Sequence, residues 1–114
     1  MEIGVDCVDV SGFQGAMLIQ GFKKRVFTEN EISYCEKKAK PIQHYAARFA
    51  AKEAVAKALS LDVRTSLSQI EILDDETGRP FVNILDRSLG TEHRTVKISI
   101  SHSDSIALAF AIAV

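Results

Sequence analysis

The chain has 114 residues, 46% of them apolar and 25% charged, and a formal net charge of −1. That length is expected to make one domain, 1–114, burying roughly two-thirds of the unfolded chain's surface. The balanced charge excludes a global field for nucleic acid or an anionic membrane, so an anion site must be a local basic cluster. No apolar run reaches the length of a membrane span. Met1 to Val10 carries Glu2, Asp6 and Asp9 and no basic residue, unlike an ordinary signal peptide. Cys7 and Cys35 lack metal-ligand spacing and read as two reduced thiols in a cytoplasmic protein.

Residues 2–10 alternate as a first strand, with Ile3, Val5 and Cys7 on one face and Gly4, Asp6, Val8 and Val10 on the other. Phe13 to Arg25 has a helical tendency interrupted by Gly15 and Gly21. Thr28-Glu29-Asn30-Glu31 has capping-box spacing and predicts a helix through about Lys40. Pro41 then opens a long helix to Ser60. Ser68–Leu73 and Phe81–Leu85 predict strands joined by the turn-rich segment Asp74 to Pro80. A further strand carries Val96, Ile98, Ile100 and His102 on one face. The last alternates large residues (Ile106 to Val114) with Ala107, Ala109, Ala111 and Ala113. The fold class is α+β, an antiparallel sheet packed against a long central helix.

That helix is apolar on nearly every side, as a buried central helix should be. Yet Glu53 and Lys57 continue the i, i+4 row of Tyr45 and Phe49, while Arg48 and Lys52 form a second row. A single Glu–Lys pair would read as a solvated strip. Two basic rows flanking a carboxylate argue for a charged ligand, because buried charge is costly unless paired. Asp6 is a carboxylate among small and apolar neighbours, and with Glu53 it could form a two-carboxylate site for a hard cation such as Mg²⁺. Lys57 lies one turn beyond Glu53, placed to neutralise or protonate a phosphate. Arg48 and Lys52 could bind further phosphate charge. His102, flanked by Ser101, Ser103 and Ser105, reads either as a capped structural histidine or as a phosphate ligand, and Ser101 of this hydroxyl-rich turn is a further candidate substrate-binding residue. His44 and His93 have no such setting.

In order along the chain, the sequence carries Gly4-Val5-Asp6, Phe27-Thr28-Glu29-Asn30-Glu31 and Arg48-Phe49-Ala50-Ala51-Lys52-Glu53-Ala54. Lys57-Ala58-Leu59, Gly78-Arg79-Pro80 and Ser99-Ile100-Ser101-His102-Ser103 follow. Together these segments resemble the stand-alone 4′-phosphopantetheinyl transferases of the holo-acyl-carrier-protein synthase type. The resemblance implies a transferase that moves 4′-phosphopantetheine from coenzyme A to a serine of an acyl carrier protein, leaving adenosine 3′,5′-bisphosphate. It serves lipid biosynthesis, on a fatty-acid, polyketide or polyunsaturated-lipid carrier.

By the same resemblance, Asp6 and Glu53 hold Mg²⁺ and Lys57 contacts the reacting phosphate. Arg48 and His102 bind coenzyme A or help dock the carrier, and Gly78 and Pro80 accommodate the adenine. The base is either Glu53 or a water on the metal. A homotrimer with active sites at subunit interfaces is implied, with the alanine face of the last strand as a candidate contact. The chain departs from the family at Gly12, where an arginine is usual, at the glycine-free loop 60–66, and at Ala56, where some members have serine. Two rival readings stay open: another Mg²⁺-dependent nucleotide phosphotransferase, and a non-catalytic carrier-binding member.

Overall fold

The computed structural model of the chain describes residues 1–62, 67–86, 88 and 94–114, so His93 and positions 63–66 of the loop lie outside the described residues. The first strand, β1, is Glu2–Asp9, followed by α1 (Val10–Met17) and α2 (Phe22–Val26). The predicted weak helix is thus two short ones. Then come α3 (Glu29–Glu36) and α4 (Pro41–Ala58), a 3₁₀ turn at Leu67–Gln69, and the hairpin β2 (Ile70–Asp74) and β3 (Pro80–Ile84). The chain closes with β4 (Val96–His102) and β5 (Ile106–Ala113).

Local chemistry accounts for the helix boundaries. Thr28 caps α3 by accepting from Glu31 N–H at 3.2 Å, while the Glu31 carboxylate accepts from Thr28 N–H at 2.8 Å. This helix stops short of Lys40 because Cys35 is its last buried anchor and the exposed Lys37, Lys38 and Lys40 follow. Pro41 begins α4 at a position where its missing N–H costs nothing.

The strands form two antiparallel sheets. One has the antiparallel order β1-β5-β4, and the other is the β2-β3 hairpin. The large/small alternation of β5 decides how the first sheet meets α4. Ala107, Ala109, Ala111 and Ala113 are fully buried, and Ala50, Ala51, Ala54 and Ala58 of α4 are buried with them. The alanine face therefore packs inside the chain, which corrects the expectation that it forms a subunit contact. The large residues turn outward instead: Ile106, Leu108 and Phe110 are 49%, 44% and 40% exposed.

Small residues on both sides allow a very close helix–sheet approach. At Gly4 an added Cβ would stand 2.0 Å from the Ala54 carbonyl oxygen and 2.9 Å from Ala58 N, so only glycine fits. Ile70, Ile72 and Val55 are fully buried beside this layer, each contributing about 1.5–3 kcal/mol of apolar burial. A second cluster gathers Phe13, Phe27 and Tyr45, with Phe13–Phe49 centroids 4.9 Å apart and Phe27–Tyr45 5.0 Å apart. Both cysteines are free thiols; burial pushes the Cys35 thiol up to about 12, leaving it inert. Among the described residues, no helix is long and apolar enough to cross a membrane.

Candidate active site

The close seating of β1 on α4 brings three charged side chains together. Asp6 is two residues past Gly4 on the same inward face, and Glu53 and Lys57 are one turn apart on the helix beneath it. Lys57 Nζ lies 3.3 Å from Asp6 Oδ1 and donates to the Val5 carbonyl at 3.0 Å. Burial raises the Glu53 carboxyl above its ordinary value; the charge of Asp6 raises it further, and Lys57 opposes both. Glu53 thus feels both the Asp6 carboxylate and the Lys57 ammonium, and the ammonium pairs with Asp6. Among the described residues, no group of three or more His, Cys, Asp or Glu side chains gathers as a metal cage.

The second cluster borders a cleft of about 170 Å³ at the other end of α4, lined by Tyr34, His44, Arg48, Asp74, Gly78, Pro80 and His102, among others. Arg48 is only 4% exposed. Its guanidinium stacks over the Tyr34 ring at 3.9 Å and pairs with Asp74 at 3.2 Å. The Arg48 Nε is buried and finds no hydrogen-bond partner among the described residues, so this cation is not fully satisfied by the chain around it. Gly78 (φ 85°) completes the turn in which Asp75 Oδ1 accepts from Thr77 N–H at 2.9 Å and Arg79 N–H at 3.0 Å. That turn sets Pro80 at the cleft rim.

Two expected ligands fall elsewhere. Lys52 is fully buried, pairs with Glu31 at 2.7 Å, and donates to the Leu67 and Ile70 carbonyls at 2.9 and 2.6 Å. Its ammonium has three N–H groups and three partners, so the expectation that it binds phosphate is corrected. Burial pushes Glu31 up and Lys52 down, while their contact and the N–H groups of Thr28 and Ile72 on Glu31 pull the other way. Ser101 pairs across from Leu108 on the outward face of β4, one residue out of phase with His102. It does not line the cleft. Gly12 is exposed on α1, where an added Cβ would meet only the Asp9 side chain, no nearer than 3.5 Å.

Three cleft residues escaped the reading of the sequence. His44 is one turn before Arg48 on the row His44, Arg48, Lys52, a legible signal. Tyr34 and Asp74 come from other elements, and nothing in their spacing pointed to the cleft.

Strand register puts both clusters on one face. Asp6 faces Ala109, which faces Ile100; the next inward row is Val8, Ala107 and His102. With strands about 4.8 Å apart and same-face rows about 6.7 Å apart, Asp6 and His102 stand on the order of 12 Å apart. Along α4 the rise from His44 to Glu53 is about 13.5 Å. The two distances agree, so the clusters lie on the order of 12 Å apart and a ligand serving both is extended.

Comparison with known proteins gives a consistent result. The family model described as the 4′-phosphopantetheinyl transferase superfamily matches residues 2–111. The holo-[acyl-carrier-protein] synthase of Ruminiclostridium cellulolyticum is 42% identical, over 98% of this chain and 90% of that protein. Among solved structures, the Neisseria meningitidis holo-[acyl-carrier-protein] synthase is 31% identical with a TM-score of 0.84, covering 99% of this chain and 97% of that one. The Helicobacter pylori enzyme, solved in complex with coenzyme A, is 26% identical with a TM-score of 0.84, covering 98% of this chain and 99% of that one.

Proposed function

The chain belongs to the 4′-phosphopantetheinyl transferase superfamily, and on that premise we propose that it transfers 4′-phosphopantetheine from coenzyme A to a serine of an acyl carrier protein. The observation that carries this reading is the meeting of Asp6, Glu53 and Lys57 at the seam of β1 and α4, with Lys57 3.3 Å from Asp6.

Oxygen donors that repel each other and are only half neutralised suit a hard divalent cation, which also takes waters and substrate phosphates. Asp6 and Glu53 would hold Mg²⁺, which when bound offsets charge on the pyrophosphate. Glu53, its carboxyl raised by burial and by Asp6, accepts the proton of the carrier serine. The serine oxygen forms a bond to the β-phosphorus, and the bond from that phosphorus to the oxygen bridging the two phosphates breaks. Adenosine 3′,5′-bisphosphate leaves, its developing charge faced by the Lys57 ammonium. About 12 Å away, Arg48 and His102 receive the 3′-phosphate, and Gly78 and Pro80 border the adenine.

The outward row Ile3, Val5, Ile106, Leu108 and Phe110 is a contiguous apolar surface. It supports a homotrimer whose copies meet on this large-residue face. The two free thiols fit a cytoplasmic setting, and residues 1–114 act as one transferase domain.

The test is mass spectrometry of an apo acyl carrier protein incubated with the chain, coenzyme A and Mg²⁺. A mass gain of one phosphopantetheinyl group on the carrier serine is expected. An unmodified carrier, across a panel of fatty-acid and polyketide carriers, would overturn the proposal.

A further inference from the structure

His44 has no role in the reaction just described, yet it sits in the anion cleft. Its ring packs edge-on against His102 at 5.0 Å and against Tyr34 at 5.9 Å. The charged and titratable groups facing it come from four directions: Arg48 from its own helix, Tyr34 and Lys38 from α3 and its end, His102 from β4, and Asp74 from β2. Asp74 is the one acid among them, and it is engaged by Arg48 at 3.2 Å. Asp104, on the neighbouring turn, is held by Lys40 at 3.1 Å and Gln43 at 2.7 Å. The field at His44 is therefore positive. Burial first, then His102, Lys38 and Arg48, hold its imidazole below the usual range, with Asp74 opposing.

A phosphate monoester seated against Arg48 and His102 reverses that field. We propose that His44 is a further binding residue of this cleft, one that takes up a proton when a phosphate dianion enters. The inference rests on the coenzyme A reading and adds to it a proton-linked contact. With the free imidazole depressed and the bound one raised, the protein binds an extra proton between those two values. Affinity therefore rises as pH falls through that window.

Calorimetric titration of coenzyme A into the intact chain near pH 7, in two buffers of different ionisation heat, reads the proton directly. Net uptake is expected for the wild type, with affinity falling by up to about tenfold per pH unit as pH rises through the window. His44→Gln should lose that uptake and flatten the slope. Dephospho-coenzyme A, which lacks the 3′-phosphate, should give no difference between the two proteins. The ligand's own phosphate titrates near pH 6, but it contributes equally to both proteins, so their difference isolates His44. A direct readout on the wild type is the His44 ring resonance, which should move toward its protonated position on adding coenzyme A. Equal uptake in both proteins, or an unmoved resonance in the saturated complex, overturns the inference alone. Absence of any coenzyme A binding overturns the reading beneath it and this inference with it.

Discussion

Lys57 holds its ammonium 3.3 Å from Asp6 Oδ1 and 3.0 Å from the Val5 carbonyl, so one lysine ties α4 to the edge strand where the two carboxylates meet. Its side chain is 49% exposed, and a pair so solvated contributes about 0–1 kcal/mol to stability. Its chemical role should be far larger. Lys57→Met is expected to lower the transfer rate by about 10²–10³-fold, the usual effect of removing one group that stabilises developing charge. Carrier mass spectrometry and a denaturation curve on the same sample separate the two effects.

Glu53 makes a signed prediction for stability. Its carboxyl is raised by burial first and then by Asp6. A group whose folded pKa is raised contributes stability that is full below its unfolded value and lost as pH rises through the folded value. Glu53→Gln should therefore be close to wild type at about pH 4 and more stable than wild type at about pH 8. Urea denaturation at both values checks this, and a variant that loses stability at the higher pH contradicts it.

Much of this arrangement was legible because it depends on local rules. The Thr28–Glu31 box, Pro41 at the start of α4 and the alternation of β1 and β5 each follow from short-range geometry. Asp6, Glu53 and Lys57 stood out as charges on apolar faces, and the structure joins them. What misled was long-range pairing. Lys52 looked free because its partner Glu31 lies in another helix and its carbonyl acceptors lie beyond a loop. The alanine face looked like an interface because sequence cannot say which face of a strand a helix covers. Tyr34 and Asp74 reach the cleft only through tertiary packing.

Lys52 provides the third prediction. Lys52→Met should cost about 3–5 kcal/mol, since it strands the buried Glu31 carboxylate. Glu31→Gln with Lys52→Met should recover only part, because the N–H groups of Thr28 and Ile72 still need an acceptor. Urea unfolding measures both. Coenzyme A affinity in the folded fraction should be unchanged; a selective loss of affinity would show that Lys52 is a phosphate ligand after all.

Gly4 lets β1 approach the backbone of α4 closely. Gly4→Ala forces a Cβ to within 2.0 Å of the Ala54 carbonyl oxygen unless β1 moves. Overpacking of this kind costs about 1–3 kcal/mol or more, and the shift separates Asp6 from Glu53 and Lys57. Thermal stability and transfer rate should fall together; an unchanged melting curve would show that β1 does not need this approach.

The central claim is that Asp6 and Glu53 jointly hold the Mg²⁺ used in transfer, and the most direct test is the transfer rate of Asp6→Asn as a function of Mg²⁺ concentration. The substitution keeps the shape and removes one negative charge from the pair. Near-complete loss of transfer is expected at limiting Mg²⁺, with partial recovery at high Mg²⁺. Glu53→Gln should recover less, because the proposed proton acceptor is gone as well. Near-wild-type transfer by Asp6→Asn at limiting Mg²⁺ would contradict the shared site.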